Sequence, residues 1–223
     1  MILLELYKYL IICLVTVITA IFIIFYPATQ KDTLVVTPLL TQNAYNTGGF
    51  YDYYNKVCDS KCLTVKINQT ATYRFEGSYE AIRTLLMLDY DFITDYDLHQ
   101  ESSILKNYRR IILLHNEYVT QEIFDAVTSH KNVIYLYPNA LYAQVTIEDG
   151  NMTLIKGHNY ENNQYPVPVD NGFGWQYDNT HTYEHDRTCK DWQFYEINNG
   201  WMLNCYPEQI MGNQELIKAI KSR

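Results

Sequence analysis

The sequence predicts an α/β fold: a doubly wound parallel sheet with β-hairpin additions, preceded by one N-terminal transmembrane helix. Three observations predict it. Short apolar strands alternate with amphipathic helices from residue 33 to residue 139, the rhythm of βαβ units. Two turn pairs, Asp149-Gly150 and Asn199-Gly200, sit inside strand-like runs, as tight hairpins require. Tyr9 to Ala28, "YLIICLVTVITAIFIIFYPA", carries no charge and is long enough to cross a hydrocarbon core of about 30 Å.

Residues 1–28 therefore read as an uncleaved membrane anchor, with a cleaved signal as the other reading. Tyr9 and Tyr26 stand at its two ends, where interfacial aromatics belong. Beyond the linker, "TLVVTPLL" (33–40) reads as the first strand and 41–57 as a Gly- and Tyr-rich loop. "CLTVKI" (62–67) is a second strand. Gly77-Ser78 opens a helix to about Leu88, with Ile82, Leu85 and Leu86 on one face. "YDFITDYDLH" (90–99) is a third strand and "SSILKNY" (102–108) a short helix. "RRIILLH" (109–115) is continuously apolar after its arginines, as a central parallel strand is. Thr120 caps a helix to about Ser129 that buries Ile123, Phe124 and Val127; "NVIYLYPN" (132–139) is the fifth strand. These elements make an α/β domain over 29–158. Residues 159–223 form a loop-rich extension packed on it, closing with a helix capped by Asn213.

The chain of 223 residues carries a formal net charge of -8, which argues against nucleic-acid partners. Outside the anchor the cysteines number four: Cys58, Cys62, Cys189 and Cys205. An even count in an exported domain reads as the disulfides Cys58–Cys62 and Cys189–Cys205 rather than a metal site. The sequons at Asn68 and Asn151 agree with an extracytoplasmic domain on a single-pass anchor, the membrane being met through residues 9–28.

Ligand sites of open parallel sheets lie beyond the carboxyl ends of the strands. The strand ends lead to Asn43, Tyr45 and Asn46, to Asp95, Asp97 and His99, to His115, Glu117 and Tyr118, and to Asn139 and Tyr142. Asp95 and Asp97 also read as turn caps and His115 as a structural histidine. No Gly-x-Ser-x-Gly elbow, reactive cysteine at a strand–helix turn, or Gly-rich phosphate loop is present.

Three stretches, "LLTQNAYNTGGFYDYY", "DYDFITDYDLHQ" and "HNEYVTQEIFDAVTSHKNVIYLYPNALYAQV", together resemble the C-terminal domain of the large (beta) subunit of N,N-dimethylformamidase and its relatives. The resemblance spans about residues 37–147 and rests on A-Y-N-x-G-G, T-D-x-D-L-H and H-x-E-Y followed by N-x-x-Y. It implies a glutamine-amidotransferase-like (flavodoxin-type) fold and hydrolysis of a non-peptide amide C–N bond with one iron ion held by two tyrosines and a glutamate. Carried over by motif, the glutamate is Glu117 and the first tyrosine Tyr45; Tyr73 is the candidate second tyrosine, with Tyr79 as rival. His115 would orient or accept protons and Asn139 would supply an amide near the substrate. Val119 and Ala143 stand where the family pattern has tryptophan. The reading adopted from these residues is a family domain that binds a small amide ligand or a protein partner through an altered site; the alternative is an iron-dependent amide hydrolase.

Overall fold

The computed structural model describes residues 31–70, 77–157 and 186–223. In chain order these form β1 (Lys31–Thr37), α1 (Leu39–Tyr45), α2 (Phe50–Tyr54), β2 (Thr64–Lys66), α3 (Tyr79–Leu86), β3 (Asp91–Thr94) and α4 (Asp95–Gln100). They continue with β4 (Tyr108–Leu113), β5 (Tyr118–Val119), α5 (Gln121–Thr128), β6 (Val133–Tyr135), β7 (Ala143–Glu148), β8 (Asn151–Lys156), β9 (Phe194–Ile197), β10 (Gly200–Leu203) and α6 (Gln214–Ser222).

The strands form two sheets, which corrects the expected single doubly wound parallel sheet. One is six-stranded, in the order β3-β1-β4-β6-β10-β9; the other is four-stranded, β2-β8-β7-β5. In the first, β1–β3, β4–β6 and β6–β10 pair in parallel, and β9 closes the edge antiparallel to β10. In the second, β2 and β7 flank β8 antiparallel, and β5 joins β7 in parallel. The reason lies in burial. Thr64–Lys66 hides one face alone, the pattern of a strand with a solvated side, and pairs with Asn151–Thr153. β4 and β6 are buried on both faces and belong in the centre. A transmembrane helix is likewise not found: among the described residues no helix is long and apolar enough to cross a membrane, and residues 9–28, on which the span was read, lie outside them.

Side-chain alternation along the large sheet feeds two cores. Leu34, Val36, Ile111, Leu113, Val133, Tyr135 and Met202 face the first, together with α1, α5 and the small sheet. Val35, Ile112, Leu114, Ile134 and Leu203 face the second, against Ile82 and Leu85 of α3 and Leu216 and Ile220 of α6. Leu86 does not join the inward face; it is 49 % exposed.

Local signals shape the helices. Thr120 Oγ1 accepts the Ile123 N–H, and Asn213 Oδ1 accepts those of Glu215 and Leu216, so α5 and α6 start where their caps stand. The segment 41–57, expected as loop, is instead two short helices. Pro38 ends β1, α1 begins at Leu39, and the chain doubles back at Gly49, where a Cβ would lie 2.3 Å from the Ala44 carbonyl oxygen. At Asn199-Gly200 the hairpin swings β10 onto β6 so closely that a Cβ on Gly200 would meet the Val133 oxygen at 1.8 Å. Both cysteine pairs are bonded, Cys58 to Cys62 and Cys189 to Cys205.

Candidate functional site

β4, β6 and β10 run parallel, so the residues that follow them emerge on one edge of the large sheet. After β4 the chain is pinned at every step. The His115 N–H reaches Ser78 Oγ at 3.2 Å; those of Glu117 and Tyr118 share Thr41 Oγ1 at 2.9 and 3.2 Å. The Asn116 side chain bridges the Leu114 N–H and the Asp95 carboxylate. The Glu117 carbonyl accepts from Tyr142 and Ala143. A backbone held this way presents His115 and Glu117 as fixed points, both buried.

Around Glu117 two phenol oxygens converge on the carboxylate. The Tyr45 hydroxyl donates to Glu117 Oε2 at 2.8 Å and lies 2.7 Å from the Tyr51 hydroxyl, which in turn reaches Glu117 Oε1 at 3.4 Å. Tyr45 is 38 % exposed as a residue, so its ring forms part of the site's open wall while its hydroxyl points inward. Burial first, then the Glu117 carboxylate, pushes the Tyr45 and Tyr51 phenols well above their ordinary range. Both therefore hold their protons and donate them.

His115 is set by its aromatic neighbours. It stacks on Tyr137 at 7° between planes and meets Tyr206 and Tyr45 edge-on, with centroids at 5.2 and 5.6 Å. Its Nε2 has Asn139 Nδ2 at 2.6 Å, Tyr206 Oη at 2.7 Å and Glu117 Oε2 at 3.3 Å. A ring nitrogen offers one in-plane hydrogen-bonding direction. Three polar groups compete for it. Asn139 Oδ1 is buried and has no hydrogen-bond partner among the described residues.

The structure thus brings Tyr45, His115, Glu117 and Asn139 together. Tyr73 lies outside the described residues. Tyr79 is 39 % exposed at the start of α3 and makes no hydrogen bond to Glu117 among the described residues. The phenols that stand beside Glu117 and His115 are Tyr51 and Tyr206, neither of them anticipated. Tyr51 lies in the resembling segment itself, but only the Gly49 turn returns it to Tyr45. Tyr206 follows β10, whose place in the large sheet was not foreseen. The other candidates are structural. Asn43 ties α1 to the Asn68 backbone, Asp97 and Thr94 cap α4 reciprocally, His99 binds Thr120 and Glu122, and Tyr118 and Tyr142 are buried.

The donor set suits a small hard cation. Among the described residues no three His, Cys, Asp or Glu side chains gather as metal ligands, so the set is two phenols and one carboxylate. Their four oxygens form a ring of contacts: Glu117 Oε2 to the Tyr45 hydroxyl at 2.8 Å, that hydroxyl to the Tyr51 hydroxyl at 2.7 Å, and the Tyr51 hydroxyl back to Glu117 Oε1 at 3.4 Å. Oxygens at about 2.0–2.1 Å from an octahedral ion lie about 2.9 Å apart, close to the 2.8 and 2.7 Å spacings from Glu117 Oε2 to the Tyr45 hydroxyl and on to the Tyr51 hydroxyl. Phenolate and carboxylate are the ligands that a ferric ion prefers.

The model of one protein family, described as N,N-dimethylformamidase beta subunit-like, C-terminal, matches residues 16–187. No curated protein matches the chain.

Proposed function

The chain belongs to the N,N-dimethylformamidase beta subunit-like, C-terminal family, and on that footing we propose that its site hydrolyses the C–N bond of a small carboxamide with an iron ion held by Tyr45, Tyr51 and Glu117. The observation that supports this best is the convergence of the two phenol hydroxyls on the Glu117 carboxylate, with His115 Nε2 3.3 Å from Glu117 Oε2. When bound, the ion supplies Lewis-acid polarisation of a carbonyl and a more acidic water.

The chain's own residues do the rest. Tyr45, Tyr51 and Glu117 would hold the ion through their oxygens, with both phenol protons given to solvent water. His115 Nε2 takes a proton from the attacking water and returns it to the leaving nitrogen, which needs both a lone pair and access to the Glu117 edge. Asn139, 2.6 Å from the same nitrogen, donates its amide N–H to the substrate oxygen and fixes which face of the carboxamide meets the water. The half-exposed Tyr45 ring is the wall the substrate slides past. Two disulfides support a protein that works in an oxidising compartment.

Elemental analysis and a visible spectrum of the purified full chain test the reading. Near-stoichiometric iron with a phenolate-to-iron absorption band, abolished in Glu117→Ala, is expected, and it directs a screen of formamides and acetamides. Loss of the band in Tyr51→Phe but not in Tyr73→Phe assigns the second phenol to Tyr51; the reverse assigns it to Tyr73. A folded, colourless chain that takes up no added iron sinks the hydrolase and leaves the ligand- or partner-binding domain as the better account.

A further inference from the structure

The family match ends at residue 187, yet one hydroxyl at the centre of the site comes from beyond it. Tyr206 follows β10, and its hydroxyl lies 2.7 Å from His115 Nε2. Two devices hold it there. On one side, Cys205 is bonded to Cys189, and the Tyr206 N–H donates to the Asp186 carbonyl at 2.9 Å. On the other, the turn Pro207–Ile210 is clamped by Glu208. Its carboxylate accepts the Glu80 and Ala81 N–H groups at the start of α3, at 2.9 and 3.2 Å, and the Tyr137 hydroxyl. Tyr137 is the ring that stacks on His115. The same small segment therefore grips the histidine by a hydroxyl and steadies the ring beneath it.

A core tyrosine needs one partner for its hydroxyl, as Tyr135 finds in Asn199 at 3.1 Å. Tyr206 differs: its hydroxyl is aimed at a nitrogen that already has Asn139 and Glu117 within reach. Spent there, it does nothing for scaffold stability that another acceptor would not do. What it does is bias which of the competing partners the nitrogen takes. With the Tyr206 hydroxyl in place, Nε2 is held back from a closed His115–Glu117 pair that would occupy the working edge of the site.

We propose that Tyr206 is a positioning residue for His115, and that the Cys189–Cys205 bond and Glu208 keep its hydroxyl at Nε2, so that the segment beyond the family match completes the site. This rests on the function above only for what His115 does there; the contact itself exists without iron.

Nitrogen-15 NMR of histidine-labelled, chelator-stripped full chain reads it directly, with the His115 Nε2 resonance assigned by its loss in His115→Gln. Tyr206→Phe keeps the ring against His115 and Tyr137 and removes one oxygen. The expected result is a displaced Nε2 resonance with near-UV circular dichroism and Tm close to wild type. Cys189→Ser/Cys205→Ser displaces it in the same direction. Leu154→Ala, a buried change in the small sheet, lowers Tm and leaves the resonance in place. An unmoved Nε2 in folded Tyr206→Phe overturns the proposal, and that variant alone decides if the double serine variant does not fold. A displaced resonance in a chain that binds no iron supports the positioning role while removing the hydrolase; an unmoved one in a chain that binds iron does the opposite.

Discussion

Two carboxylates lie buried on the same edge of this molecule, and they are satisfied in opposite ways. Asp95 is fully enclosed. It accepts the Leu40 N–H at 2.9 Å and the Asn116 amide at 3.1 Å, and the backbones of Leu39 and Tyr96 complete its shell. Glu117 is almost as deep, but its partners are the hydroxyls of Tyr45 and Tyr51 and the ring of His115. Backbone donors cannot move without unravelling α1 and α4. Phenols and an imidazole can turn, lose protons or be displaced. The type of donor, not the depth of burial, separates a carboxylate that builds the fold from one that is free to do chemistry.

The sharpest way to break this contrast is to delete each acid. Asp95→Ala leaves several buried donors without an acceptor and is expected to cost about 5 kcal/mol, since each orphaned donor costs about 1–3 kcal/mol. Glu117→Ala leaves Tyr45 and Tyr51 bonded to each other and is expected to cost about 1 kcal/mol. Urea unfolding of the two variants measures the difference, and equal losses would end the distinction.

The next largest effect is in pH. Burial pushes the Asp95 carboxyl up to about 7 from its ordinary 3.8, against the pull of its N–H donors. Between those values the folded chain keeps a proton that the unfolded chain has lost. Stability is therefore fully present below pH 4 and falls as pH rises through 7, by about 4 kcal/mol from this group at about 1.4 kcal/mol per unit. Asp95→Asn should flatten that limb of the stability curve; an unchanged slope would assign it to another group.

Third comes the ligand test on the Glu117 side. Tyr45→Phe or Tyr51→Phe should each lower iron affinity at least about 10–100-fold, the range seen even for residues that only support ligands, while moving Tm little. The smallest effect sets the baseline. Glu215, paired with Lys218 at 2.8 Å on the exposed face of α6, should cost under about 0.5 kcal/mol when changed to Ala.

Asp95 and Glu117 also show how far the residues could be read before any coordinates. Both were picked out as strand-end acids; of the two aspartates read as turn caps, Asp97 caps locally with Thr94, whereas Asp95 binds Leu40 and Asn116, far off in sequence. Thr120, Asn213 and the two Asx-Gly hairpins were legible because they too act locally. The second sheet was not, because β2 and β8 pair across the sequence, Thr64 with Thr153 at a separation of 89, and nothing in "CLTVKI" names its partner. At the site, His115, Glu117, Tyr45 and Asn139 followed from strand ends and motif. Tyr51 escaped because 41–57 looks like a loop until Gly49 is seen folding one helix back on another. Tyr206 escaped because the second hairpin looks like an appendage until β10 is seen lying on β6.

Gly200 carries this last point into practice. A side chain there would strike the Val133 carbonyl oxygen, so any replacement lifts β10 from β6, and Tyr206 rides on the end of β10. In a saturation screen scored by loss of the proposed iron binding, Gly200 would appear beside Glu117, though it lies in β10, away from Glu117. Scoring the same library for surviving protein would part them, with Glu117 variants abundant and silent and Gly200 variants scarce.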